Sequence, residues 1–346
     1  MIAFLFVIFC LFMTMVYKNT FKFSIIIMEE SKKMVVRRFN YYRFFIFMVV
    51  LSAIIFGSYK LISNYKYKQT YEYKLGLVGY KEDEITTIKS KLSDSEIDRL
   101  LELKYDKNIV KFMDEKYFIY KNLSKYLDYK KENKLESYKN IVTIINTEAN
   151  IDWFDNTKET DISKGELMLV NRLYGLSKDY KPDDIIEVSS AYAYNGVKIS
   201  ESIMDNIIAL IEAASEEGYT FVLSDGYRSY SDQEKIFERY KNAYGYSEAD
   251  RVAARAGHSE YQTGLSFNIV PLYKSYDKPK ESPEYKWLYD NAYRFGFIFR
   301  FPDGKSSITG FESSTWRLRY VGSEASNIIK SENICFEEYY AYFVDK

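Results

Sequence analysis

The residues that carry most enzyme chemistry are scarce in this sequence. Its 346 residues include one histidine, His258, and two cysteines, Cys10 and Cys335. Catalytic zinc usually needs two or three imidazoles, and most acid–base mechanisms need at least one. Two distant cysteines exclude a disulfide framework, a cysteine-based zinc site and a C-x-x-C redox motif. Chemistry that depends on several histidines or cysteines is therefore excluded.

An excess of charge of one sign is also lacking. Lys and Arg number 48 against 49 Asp and Glu, so the formal net charge of -1 creates no overall field towards nucleic acid. Proline occurs five times, whereas Tyr (35) and Phe (24) are abundant, a bias that we interpret as an AT-rich coding sequence of a low-GC Gram-positive bacterium. A hydrophobic share of 47% with 28% charge predicts a folded protein.

Two apolar segments open the chain. Residues 2–17 carry no charge but are short for a span of about 20 residues, whereas 44–62 are long enough, because Lys60 reaches the headgroups. We predict a membrane anchor region over 1–63 with its span at 44–62. The first segment is either an extra span or an extension ahead of a later start at Met28 or Met34. A buried core helix is the disfavoured alternative for 44–62.

Orientation follows from the charges between the two segments. Basic residues there outnumber the two acidic ones, Glu29 and Glu30, and include a cluster of five: Lys32, Lys33, Arg37, Arg38 and Arg43. The positive-inside rule places this cluster in the cytoplasm and residues after about 63 outside. We therefore predict a single- or double-pass protein of the cell membrane with an extracytoplasmic C-terminal domain.

Two folded regions follow the anchor. Residues 66–160 are predicted to form a helical leader domain, in which Ser93 and Glu96 make a capping box and apolar residues recur at helical spacing over 109–127 and 138–145. Residues 161–346 alternate predicted helices, at 199–214 and 233–244, with predicted strands at 220–223, 296–300 and 316–321. This mixture predicts an α+β domain with a short antiparallel sheet flanked by helices.

Three sequence blocks stand out in the second region. They are Gly226-Tyr227-Arg228-Ser229-Tyr230 with Gln233, the run from Ala254 to Asn268, and the run from Asn291 to Gly322. In this order and spacing they resemble the VanY-type D-alanyl-D-alanine carboxypeptidases, which share the zinc-peptidase fold of lysostaphin and the hedgehog signalling domain. The resemblance covers about residues 161–330, and the preceding helical region is similar to the leader of many such proteins.

The resemblance implies a zinc site whose residues are replaced in this chain. In the family, a His and an Asp of S-x-H-x-x-G-x-x-x-D and the His of E-x-W-H bind zinc, and the Glu is the general base. Tyr261, Asn268, Arg317 and Ser314 stand at those four positions. A neutral phenol and a carboxamide are poor zinc ligands, a guanidinium repels the ion, and a serine needs a base of its own. We therefore expect no metal, no cofactor and no catalytic residue.

Substrate-holding residues are retained. Arg228, Gln233 and Ser259 match the family positions that contact the peptide near its terminal carboxylate and scissile carbonyl. An arginine fork suits a carboxylate because it donates two parallel hydrogen bonds, and Arg317 adds a cation where an anion could dock. In the alternative interpretation, Arg228 only ties its loop to a neighbouring carboxylate and nothing binds.

Two residues are candidates for rescuing activity. Glu312 lies two positions before Ser314 and would face the same side in an extended segment, and His258 lies in the second block. We expect Glu312 to be exposed or paired with Arg317, and His258 to be a hydrogen-bonded loop residue.

Three functional hypotheses remain open. The preferred one is an inactive, membrane-anchored homologue that binds a peptidoglycan stem peptide or an envelope protein through the old substrate cleft. The second is an active or weakly active D,D-carboxypeptidase that uses Glu312, His258 and Tyr261. The third is a purely structural scaffold of the cell envelope. No nucleic-acid partner is expected.

Overall fold

A computed structural model describes residues 41–153 and 155–345. The possible span at 2–17, Cys10, the alternative starts and the basic cluster as far as Arg38 lie outside these ranges. The chain divides into two compact units, residues 1–73 and residues 74–346, called here the anchor unit and the main unit.

The described part of the anchor unit is dominated by one helix, α1, at Tyr41–Lys68. Its 28 residues extend for about 42 Å, more than the ~30 Å hydrocarbon thickness of a bilayer. None of its residues is buried, and it is long and apolar enough to cross a membrane. The predicted span at 44–62 lies within it.

The main unit begins with short helices. They are α2 (Tyr71–Val78, which starts in the anchor unit), α3 (Glu82–Lys91), α4 (Asp94–Leu100), α5 (Lys107–Met113), α6 (Leu123–Glu132) and α7 (Tyr138–Asn146). The predicted capping box is present, because the Ser93 N–H donates to the Glu96 carboxylate at 2.8 Å. The helical spacing over 109–127 belongs to two helices, α5 and α6, because residues 114–119 form a turn between them.

The rest of the main unit mixes strands and helices. The strands are β1 (Lys158–Glu159), β2 (Tyr174–Gly175), β3 (Ile185–Glu187), β4 (Lys198–Ser200), β5 (Phe221–Asp225), β6 (Ser266–Pro271), β7 (Phe297–Phe299) and β8 (Arg317–Tyr320). The helices are α8 (Met204–Glu216), α9 (Tyr230–Tyr244), α10 (Tyr246–Val252), α11 (Pro283–Asn291), α12 (Ser306–Thr309), α13 (Ser323–Glu332) and α14 (Phe336–Tyr339).

A four-stranded sheet organises this part, in the order β5-β6-β8-β7 with every pair antiparallel. Helix α8 buries Ile207 and Leu210 in the core that holds Phe221, Phe267 and Phe297 of the sheet. The predicted α+β class with a short antiparallel sheet is confirmed.

Two elements differ from the sequence prediction. The predicted helix over 199–214 begins only at Met204, because Lys198–Ser200 pair with β3 as strand β4 and a 3₁₀ turn at Glu201–Ile203 follows. Strand β6 was not predicted. It is an inner strand of the sheet and carries Asn268.

The helical region and the C-terminal segment of the main unit contact each other. The rings of Tyr117 and Tyr342 stack with centroids 3.9 Å apart, and the Tyr342 hydroxyl lies 3.1 Å from that of Thr143. A separate leader domain ending at residue 160 remains a prediction.

Candidate functional site

The loop between β5 and α9 positions Arg228. The Arg228 N–H donates to the Tyr261 carbonyl at 3.2 Å, and the Ser229 hydroxyl accepts from the Asp232 N–H to cap α9. A Cβ at Gly226 would lie 2.2 Å from the Lys198 carbonyl oxygen. Only glycine therefore allows β4 to approach this loop so closely.

The three positions that the resemblance assigns to the family metal ligands come together next to this loop. Asn268 of β6 and Arg317 of β8 are cross-strand partners. The Tyr261 hydroxyl donates to Asn268 Oδ1 at 2.9 Å, and the Arg317 guanidinium carbon lies 4.5 Å from the Tyr261 ring centroid. Ser314, at the position of the family base, donates its N–H to the Phe301 carbonyl at 2.9 Å.

Tyr261 lies next to two cationic side chains but carries no charge itself. Its side chain is 2% exposed, and burial raises the pKa of its phenol although Arg317 and Arg228 oppose that shift. The phenol is therefore neutral at pH 7. The Arg228 guanidinium carbon lies 4.3 Å from the same ring, so both arginines face Tyr261 by cation–π contact.

Charge compensation differs between these arginines. Arg228 forms an ion pair with Asp225 and donates to Gln233 Oε1 at 3.2 Å. Arg317 has no carboxylate within 4.0 Å among the described residues, and its Nε is buried without a hydrogen-bond partner. The uncompensated cation of the site is therefore Arg317.

The side chains at the family metal positions do not suit Zn²⁺. The phenol is neutral and donates a hydrogen bond to Asn268 Oδ1, so neither oxygen is a free anionic ligand. Arg317 adds a permanent positive charge, which repels the ion. Over residues 41–153 and 155–345, no three His, Cys, Asp or Glu side chains are grouped so that they could hold a metal ion.

The predicted substrate-holding residues lie near Tyr261: Arg228 faces its ring, Gln233 is bonded to Arg228, and Ser259 lines a cleft with it. Gln233, 2% exposed, donates from Nε2 to the Ala254 carbonyl at 2.7 Å while its Oε1 accepts from Arg228. Ser259 is buried beside Tyr261 and lines a small cleft with Arg317. Arg228 forms an ion pair with Asp225, three residues before it, which is the contact with a neighbouring carboxylate that the alternative interpretation expected.

The two candidates for rescuing activity differ in their positions: Glu312 is on the surface, whereas His258 lines the small cleft with Tyr261 and Arg317. Glu312 is exposed, which is one of the two expected outcomes, and it pairs with Arg251 instead of Arg317, the other expected outcome. The reason is position: Arg251, at the end of α10, lies within reach, whereas Arg317 faces Tyr261. His258 is half-buried, with Nδ1 2.8 Å from the Asn171 carbonyl oxygen, and burial lowers its pKa.

A buried network of charged side chains lies next to the site, and the sequence analysis did not predict it. Arg300 and Arg319 are fully buried, and both contact the Glu260 carboxylate, at 2.7 and 3.1 Å. Arg300 also donates two hydrogen bonds to Glu337 of α14, at 3.0 and 2.6 Å. Since Glu260 precedes Tyr261, the network fixes the turn that carries the site.

Comparison with known proteins shows which family the chain belongs to. Residues 196–323 match the family model VanY, described as D-alanyl-D-alanine carboxypeptidase. A D-alanyl-D-alanine carboxypeptidase of Enterococcus faecalis is 32% identical over 199 residues, which are 54% of this chain and 71% of that protein. This chain belongs to the VanY family.

Other VanY relatives agree. A D-alanyl-D-alanine carboxypeptidase of Enterococcus faecium is 29% identical over 206 residues, 56% of this chain and 64% of that protein. The chain thus spans less than two thirds of that relative's length. The solved structure of the LdcB LD-carboxypeptidase, described as revealing the basis of peptidoglycan recognition, is 32% identical and covers 56% of this chain and 93% of its own, with a TM-score of 0.51.

Zinc is present in a solved VanY structure. The D,D-pentapeptidase VanY of a VanB-type resistance cassette, in complex with Zn(II), is 33% identical, covers 50% of this chain and 98% of its own, and has a TM-score of 0.44. The present chain is a homologue of cell-wall D-alanyl-D-alanine carboxypeptidases. The match of Tyr261, Asn268 and Arg317 to the family metal positions remains a prediction.

Proposed function

We propose that this chain is a membrane-anchored VanY homologue that binds peptidoglycan stem peptides without hydrolysing them. The observation that carries the proposal is the Arg317 guanidinium, which faces Tyr261 at the position of a family zinc ligand. Without zinc, no metal lowers the pKa of an attacking water towards ~7. Ser314 cannot replace the general base, because a hydroxyl takes no proton from water near neutrality.

Recognition is separable from this chemistry. Arg228, Gln233 and Ser259 keep the residue types that hold the peptide in the family, and Arg228 and Gln233 are hydrogen-bonded to each other. The pair with Asp225 orders the Arg228 guanidinium and leaves it partly exposed, with 24% of its side chain accessible. A peptide carboxylate therefore meets an arginine that is already positioned.

The test combines binding with turnover. The full chain, purified in detergent, is titrated calorimetrically with a stem pentapeptide ending in D-Ala-D-Ala, and free D-alanine is measured after incubation with added zinc. We expect peptide binding, which Arg228→Gln weakens at least tenfold, and no D-alanine release. The exposed Arg239→Gln on α9 is the matched control.

Two other readings are separated by the same assay. An active enzyme would release D-alanine, and loss of that release in Glu312→Gln would assign the base; the contact of Glu312 with Arg251 favours neither role. A structural scaffold would bind no peptide, and Arg228→Gln would leave its cellular localisation unchanged. Either result would overturn the proposed binding function.

Membrane attachment is part of the proposal. Helix α1 has the length and composition of a span, and the basic residues that precede it favour a cytoplasmic N-terminus. A reporter enzyme active only outside the cytoplasm, fused after Lys346, should be active. An inactive but intact fusion would place the main unit inside the cell.

A further inference from the structure

The two arginines at the site favour different ligands because their charges are compensated differently. Arg228 already has a carboxylate partner in Asp225, so its net attraction for a second anion is reduced. Arg317 has only the Tyr261 ring and hydroxyl, the Phe301 ring and no carboxylate among the residues that the structure describes. Arg317 therefore attracts an additional anion more strongly than Arg228 does.

The two arginines are close enough for both to contact the C-terminal end of one bound peptide. Their guanidinium carbons lie 4.3 and 4.5 Å from the Tyr261 centroid, so they are at most 8.8 Å apart, the sum of the two distances. Successive Cα atoms of a peptide are 3.8 Å apart. At most two residues of an extended peptide therefore separate a group at Arg228 from a group at Arg317.

Arg317 stands at the position of a zinc ligand in the family, next to the place where a zinc peptidase would polarise the carbonyl of the bond to be cut. In an uncut pentapeptide the group at that place is a neutral amide carbonyl. After removal of the last residue the same carbon is a carboxylate. A guanidinium binds a carboxylate by two charge-assisted hydrogen bonds, which are about twice as strong as hydrogen bonds between neutral groups.

We propose that this site selects the trimmed stem peptide, the product of a carboxypeptidase, over the untrimmed pentapeptide. The inference rests on the proposed peptide-binding function and adds the identity of the ligand. The new terminal carboxylate pairs with Arg317, and the Arg228–Asp225 pair stays intact beside the space left by the removed residue. A separate reaction that hydrolyses the terminal peptide bond must therefore supply the ligand.

Three peptides test the selection in the full chain. They are a stem pentapeptide ending in D-Ala-D-Ala, the tetrapeptide without the last D-Ala, and the C-terminal amide of that tetrapeptide. By calorimetric titration we expect the tetrapeptide to bind about tenfold or more tightly than the other two, as expected for a hydrogen-bonded charged group. Equal or tighter binding of the pentapeptide or of the amide would overturn the inference.

Substitutions at position 317 assign the preference. Arg317→Gln should remove the difference between tetrapeptide and pentapeptide, Arg317→Lys should keep part of it, and the exposed control Arg239→Gln should keep all of it. Circular dichroism and thermal melting establish that each variant is folded. A folded Arg317→Gln protein that still prefers the tetrapeptide contradicts the inference.

The outcomes separate the inference from the function on which it rests. If neither peptide binds the native chain, the proposed binding function fails. If both bind equally and both depend on Arg228, the binding function stands and only the selection of trimmed peptide fails.

Discussion

At the scale of single residues, the site differs from its family in charge as well as in ligand chemistry. The family Asp and Glu contribute two negative charges, which Zn²⁺ offsets, so the family site is close to neutral. Here Tyr261, Asn268 and Ser314 are neutral and Arg317 is positive, so the same four positions carry one net positive charge. A site of this charge attracts an anion and repels a divalent cation.

Restoring the family residues should restore metal binding. We predict that the combined variant Tyr261→His, Asn268→Asp, Ser314→Glu and Arg317→His binds about one zinc ion per chain, because the cross-strand pairing of β6 and β8 still brings the positions together. Calorimetry and metal analysis measure this. A folded combined variant that binds no zinc would show that the backbone, and not only the side chains, has left the zinc geometry.

His258 gives the protein a pH dependence that can be assigned to one residue. Burial lowers its pKa, so the folded chain binds the proton less well than the unfolded chain, whose histidine titrates near ~6.5. Its contribution to stability is complete above that value and is lost as the pH falls towards the folded pKa. Urea denaturation between pH 7.5 and 5.5 should show this loss, and the loss should be smaller in His258→Gln.

At the scale of elements, the sequence predicted those helices and strands that are marked by local sequence patterns. The capping box at Ser93 and the apolar runs of β5 and β7 mark elements that the structure contains. Strand β6 carries no such mark, because both its faces are largely covered and it therefore lacks the alternation of a half-exposed strand. Its strand state depends on pairing with β5 and β8 on either side.

The positions of the site residues could be predicted from the sequence, but the partners of its charged side chains could not. The resemblance to the VanY family gave Tyr261, Asn268 and Arg317 as site positions, whereas the partners of the charged residues depended on packing between distant segments. Arg251 meets Glu312 across 61 positions of the chain. Such a pairing leaves no local pattern in the sequence.

Gly226 is the element-scale feature most open to test. Since an added Cβ would lie 2.2 Å from the Lys198 carbonyl oxygen, Gly226→Ala must displace β4 or the loop that carries Arg228. We predict a loss of about 1–3 kcal/mol in unfolding free energy and weaker peptide binding. Gly76→Ala is the matched control, because nothing lies within 4 Å of the added Cβ. Equal stability of the two variants would contradict the close approach.

At the scale of the whole molecule, the C-terminal segment is tied to the site through buried charge. Glu337 on α14 accepts two hydrogen bonds from Arg300, and Arg300 contacts Glu260 beside Tyr261. The two arginines and two glutamates of the network balance in charge, so removing one partner leaves a buried charge uncompensated.

We therefore predict that Glu337→Gln lowers the unfolding free energy by about 3–5 kcal/mol. Chemical denaturation of the full chain measures the loss. The exposed Glu324→Gln on α13 should cost less than about 0.5 kcal/mol. Similar losses in both variants would mean that the network contributes little to stability.

The central claim is that this VanY homologue recognises peptide without zinc. Its most direct test is calorimetric titration of the native full chain with the stem tetrapeptide, before and after exhaustive treatment with a zinc chelator. The account predicts the same affinity and stoichiometry in both titrations. Loss of binding after chelation, restored by added zinc, would contradict it.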